Sequence, residues 1–323
     1  MSFLNNFSNP TSFKVRGESN DSYHIFTRML DFHKDDMKTS DYMGLYFFHN
    51  TNEKCLSFLR KKDLKTGVYF YNSLQEIDRT EFPLIVSSGV EATFFASEAY
   101  YDYVNQHYEP AISKLRKAIK YSVEQAKTMP QFTQSLYELN LNILRVYIKE
   151  RKIELVIEKF SDLLASLLFS ENQVTDFDAS LNELPGLDRM SMANHILNNV
   201  IFSISELKAF TPDIQQEIYK NVLAKASIQT KNTEIAELSA LQWDLQTIQH
   251  YFNKDNETFL ARLNQGYSHF AKTPFYVRKM LLSQFLEIQK ESLHEISLHQ
   301  HFSNFEKILK DHNLEIKLPE LVN

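Results

Sequence analysis

The stretch YEPAISKLRKAIKYSVEQA, residues 108–126, decides the fold class. Its apolar side chains fall at Tyr108, Ala111, Ile112, Leu115, Ala118, Ile119, Val123 and Ala126. Steps of three and four place them on one stripe of an α-helix, with Lys and Glu on the other side. A second stripe runs through Ile153, Val156, Ile157, Phe160, Leu163, Leu164, Leu167 and Leu168. Between them, Leu136 to Ile148 is apolar on more than one face, which predicts a helix covered on two sides.

The signal continues outward in both directions. Tyr23–Leu30 and Tyr42–Leu59 read as helices, and Gly67–Asn72 as a short strand or the start of a helix, the helix preferred because a lone strand has no partner. Stripes return at Ile196, Leu197, Val200, Ile201, Ile204 and Leu207. Thr211-Pro212 and Thr273-Pro274 read as N-caps followed by proline at the first helical position. Phe302, Phe305, Ile308 and Leu309 mark a last amphipathic helix. The expected fold is all-α, built of stacked antiparallel helix pairs. Residues 1–19 form an irregular tail, 20–82 an N-terminal cap, 83–170 helix pairs, 171–187 a linker loop, 188–312 further pairs and 313–323 a tail.

Composition agrees with that reading. Only 6 glycines occur in 323 residues, too few for the many tight turns of a sandwich or barrel. The net charge of −6 argues against a nucleic-acid partner, which calls for a basic field. The local basic runs Arg60-Lys61-Lys62 and Lys114 to Lys117 read as solvated helix faces. A single cysteine, Cys55, allows no internal disulfide and reads as a buried small apolar side chain. No apolar run reaches membrane-spanning length, Leu163–Phe169 being the strongest. With no recognisable leader, a cytoplasmic location is expected.

Phe95, Ala99, Tyr108, Ala111, Leu115 and Ala118 resemble the aromatic and small-residue pattern of a tetratricopeptide-repeat (TPR) unit. Glu98 and Asp102 depart from it, standing where the family prefers apolar and aromatic residues. A next unit pairs Ile143, Leu144 and Tyr147 with Val156, Phe160 and Leu163. Its offset, Ala111 to Val156, is 45 residues against about 34 in the family. A third match sets Trp243 in a first helix and Phe259, Leu263 and Gly266 in a second. The resemblance implies a TPR-like α-solenoid with a right-handed superhelical course. It also implies a concave groove lined by first helices, binding a protein or peptide partner. In that alignment Tyr100, Tyr103, Asn142, Arg145 and Lys149 face the groove and suit a partner's backbone or carboxylate.

Catalytic motifs are sparse. The chain has no Gly-x-Ser-x-Gly, no phosphate-binding glycine loop and no Gly-x-Gly-x-x-Gly. His294 and His299 are five apart, so their rings diverge by about 140° around a helix and do not match a zinc-protease pair. Glu291 and His294 match the Glu-x-x-His element of di-iron bundles, but no second copy exists. His33-Lys34-Asp35-Asp36 reads as a polar helix end. The expectation is a binding scaffold with no cofactor and no metal. The alternative is a helical enzyme with a polar cavity near Glu291, His294, His299 and His301. The aromatic content fits a packed core or a homo-oligomer interface equally well.

Overall fold

The structure, a computed structural model, describes residues 22–168, 186–206, 209–226, 236–266, 273–292 and 296–311. Helices account for nearly all of them, and no strand forms among the described residues. The chain divides into two compact units. The first holds α1 (Ser22–His33), α2 (Thr39–Arg60), α3 (Leu64–Gln75), α4 (Leu84–Val104), α5 (Tyr108–Thr128) and α6 (Thr133–Glu150). It also takes α7 (Ile153–Leu168) as far as Lys159 and α8 (Gly186–Ile201) as far as His195. The second holds the remainders of α7 and α8 with α9 (Pro212–Lys225), α10 (Ala236–Phe252), α11 (Asn256–Gln265), α12 (Phe275–Glu291) and α13 (Ile296–Asp311). No helix among the described residues is long and apolar enough to cross a membrane. The expected linker, 171–187, lies outside the described residues as far as 185, and α8 starts at Gly186.

In the first unit α2 pairs with α3 and α4 with α5, and α5 packs on α6. The turns inside the pairs share one construction. Lys62, Gln106 and Arg151 all take left-handed backbone, with φ of 63°, 65° and 59°. The next amide in each case reaches back five residues: Asp63 N donates to Phe58 O, His107 N to Asp102 O and Lys152 N to Tyr147 O. These are Schellman caps, which close the orphan carbonyls at a helix end. They lie 44 and 45 residues apart. Lys254 makes the same cap between α10 and α11, with Asp255 N bonded to His250 O. Glycine is the usual occupant of this position, and none of the four turns uses it. Pairing therefore begins at α2, inside the segment that the sequence sets apart as a cap.

The α5 stripe is buried through Ala111, Ile112, Leu115 and Ala118, as the periodicity predicts. Farther on, Ser122 and Gln125 are buried while Val123 is only half-buried. Gln125 explains the shift. Its Oε1 accepts from Gly89 N at 3.0 Å and its Nε2 donates to Ile85 O at 3.1 Å, so it joins both ends of one turn of α4. Helix α6 is buried along Leu136, Leu139, Leu141, Ile143, Leu144 and Ile148, the two-sided burial its sequence predicts. The departures at Glu98 and Asp102 have a structural reason as well. Lys114 of α5 sits 2.8 Å from Asp102 and 3.7 Å from Glu98, and Tyr71 of α3 donates to Glu98 at 3.1 Å.

Gly67 marks a close crossing of α3 on α2. A Cβ there would lie 2.6 Å from Leu59 Cδ2 and 3.3 Å from the Leu59 backbone nitrogen. Gly67→Val should therefore lower stability by about 1–3 kcal/mol through overpacking. Urea denaturation measures it, and an unchanged midpoint would show that the crossing tolerates a side chain.

In the second unit α10 packs against α9, α11 and α12, and α11 against α13. The core gathers Leu241, Leu245, Ile248, Phe259, Leu281 and Phe285. Pro212 occupies the first position of α9, as its sequence predicts. Pro274 is instead the N-cap of α12, and the Thr273 hydroxyl donates to Asp244 at 2.6 Å.

Candidate functional site

One face each of α2, α4 and α6 contributes to a single cavity of about 180 Å³. Helical spacing selects the residues. His49, Asn52, Leu56 and Arg60 come from α2; Thr93, Ser97 and Tyr100 from α4; Ser135, Glu138, Asn142 and Arg145 from α6. Ile25 and Phe26 of α1, Ser122 of α5 and Phe132 of the turn before α6 complete the wall. Its lining combines apolar side chains with hydrogen-bonding groups, the composition of a site that orients a ligand rather than merely enclosing one.

The polar groups are held from beneath. Ser97 Oγ donates to Asn52 Oδ1 across α4 and α2, which orients the Asn52 amide. Arg145 Nη1 donates to Glu138 Oε1 at 2.9 Å and to Asn142 Oδ1. Glu138 Oε2 meets His195 Nε2 of α8 at 2.7 Å. Burial raises the Glu138 pKa, but the Arg145 guanidinium and the His195 hydrogen bond and charge outweigh it and hold the carboxyl at about 2. The carboxylate is thus a fixed anchor for Arg145. Arg60 lies 5.9 Å from the Tyr100 ring centre. Burial pushes the Tyr100 phenol up against the opposing charges of Arg60 and Arg145, so it stays a neutral hydrogen-bonding group.

Three of the five residues expected to face a groove, Tyr100, Asn142 and Arg145, meet in this cavity. Tyr103 packs behind Tyr100, ring centres 6.1 Å apart, and also neighbours Tyr108. Lys149 is exposed one turn beyond Arg145, at the end of α6. Arg60, expected on a solvated face, is exposed and also borders the cavity. Asn52, Ser97, Glu138 and His195 were not anticipated. Asn52 falls in the supposed cap, and Glu138 and His195 are 57 residues apart, so no local spacing joins them.

The other candidate groups are dispersed. Cys55 is fully buried, and burial pushes its thiol up to about 12. His33 is buried at the end of α1 while Asp35 and Asp36 are exposed. His294 lies outside the described residues, and Glu291 and His299 are exposed. Among the described residues no group of three His, Cys, Asp or Glu side chains could hold a metal ion. A roomier recess of about 300 Å³ among α5, α6 and α7 is lined by Arg116, Asn140, Tyr147, Glu158 and Lys159. It draws on no repeated face of the helix pairs. No protein-family model, curated protein or solved structure matches the chain.

Proposed function

We propose that this chain is a scaffold of stacked, TPR-like helix pairs that binds a protein or peptide partner along the groove of α2, α4 and α6. The observation carrying this reading is the convergence of three helices on one cavity with prepositioned side-chain amides. Asn52 and Asn142 present groups that match a peptide unit, which both donates and accepts. Tyr100 supplies a flat apolar surface with a neutral hydroxyl, and Arg145 a charge for an acidic group.

Selection from a displayed library of random peptides tests this directly. Peptides enriched on the wild-type chain should bind the Tyr100→Ala/Asn142→Ala variant at least tenfold more weakly, the loss of roughly one well-formed contact. Circular dichroism should show unchanged helix content. Selected peptides that bind both proteins equally would place the binding surface elsewhere and end this reading.

A further inference from the structure

The groove already has an occupant. Helix α1 lies against α4, α2 and α6, the helices that form it. Its buried side chains are Ile25, Phe26, Met29, Leu30 and His33, whereas Arg28, Asp31 and Phe32 face outward. The Phe26 ring stacks on His49 of α2 at 4.8 Å between centres, with the planes 9° apart. Met29 sits over Gly89 of α4, where a Cβ would lie 2.2 Å from its sulfur. Gly89 is thus a notch that admits one long flexible side chain. With only 12 residues, α1 is too short to persist as a helix in water without a surface to lie on. It is joined to α2 through exposed Lys34, Asp35, Asp36 and Lys38.

Resting on the scaffold reading above, we infer that α1 is a tethered stand-in for the partner. The partner that displaces it is an amphipathic helix bearing two adjacent large apolar residues and a second such couple four positions on, as in Ile25-Phe26 and Met29-Leu30. The reasons are geometric. The groove receives a helix whose apolar side is matched by a ring-stacking site on α2 and a methionine notch on α4. The 180 Å³ cavity bordered by Ile25 and Phe26 is the part of the groove that α1 leaves open. A tethered segment competes at high effective concentration, so a free helix gains access in proportion to the time α1 is away.

The test uses a fluorescent synthetic peptide of residues 22–36 and the full-length chain. The Phe26→Asp/Met29→Asp variant is designed to weaken the tethered helix without changing any residue of α2, α4 or α6. The labelled peptide should bind it at least tenfold more tightly than it binds the wild type, and a peptide carrying the same two substitutions should not bind. Equal affinity for both proteins overturns the inference. So does a concentration-dependent wild-type dimer abolished by the double substitution, because the helix would then belong to a second copy. Hydrogen exchange on the wild type covers a variant that fails to fold. Amides of α1 should exchange at least tenfold faster than those of α4, and protection equal to that of α4 would make α1 a fixed part of the core. Library peptides that still depend on Tyr100 and Asn142, alongside failure of these measurements, would leave the scaffold reading standing and only this one fallen.

Discussion

Glu138→Leu is expected to destabilise the chain by about 3 kcal/mol, between the small worth of an exposed ion pair and the larger cost of breaking a buried one. The side chains of Glu138, Arg145 and His195 are 22%, 30% and 15% exposed, so solvent screens the pair only partly. Removing the carboxylate deprives Arg145 and His195 of a shared partner. The companion expectation concerns pH. A folded pKa of about 2 lies below the ordinary 4.5, so the ionised carboxylate favours the folded chain. That contribution is complete above about pH 5 and is lost as pH falls through 4.5 towards 2. Between pH 7 and pH 3 it should shrink by about 2 kcal/mol. Glu138→Gln, which cannot ionise, should lose correspondingly less stability over that interval. Urea melts at the two pH values give the comparison, and equal losses in variant and wild type would show that the carboxylate is not clamped.

Phe285→Ala should cost about 3–5 kcal/mol, the range for deleting a buried aromatic ring. Phe285 is wholly buried, with the rings of Phe305 and Phe302 centred 4.8 and 5.7 Å away. Both are anchored on α13, so truncation removes ring contacts that hold α13 in addition to its packing on α11. Phe285→Leu should recover most of the loss, because it restores volume without the ring contacts. Chemical denaturation of the three proteins separates the cases. A loss below about 1 kcal/mol for the alanine variant would mean that Phe302 and Phe305 collapse into the vacancy.

The helical class was legible because long apolar stripes are averages over many residues. Helix α5 could be placed from its period, and the burial of α6 from its apolar residues on more than one face. Individual deviations were not legible. Gln125 is polar and would be assigned to the surface, yet it is buried because α4 presents a matching donor and acceptor. Pro274 is a cap rather than a first helical residue, a one-residue offset that the Thr-Pro pair does not encode. The turns escaped notice because Lys62, Gln106, Arg151 and Lys254 carry no composition signal for left-handed backbone.

At the candidate site, Tyr100, Asn142 and Arg145 are grouped by the TPR-like alignment, and all three border one cavity. Lys149 belongs to the same alignment but stands about 6 Å farther along the helix axis, past the cavity. Angle is readable from spacing, whereas the length of a cavity is not. The supporting contacts, Ser97 to Asn52 and His195 to Glu138, depend on which helices become neighbours, and local periodicity carries no information about that.

The Gln125 amide also bears on how the first unit comes apart. It bonds to Ile85 and Gly89 at opposite ends of one helical turn, so unwinding that turn and withdrawing α5 remove the same two contacts. The two steps therefore merge into one cooperative transition. Gly89 is also the seat of Met29, so α1 meets α4 at the same joint. The tethered helix inferred above would thus leave from the same glycine at which the Gln125 amide joins α4 to α5.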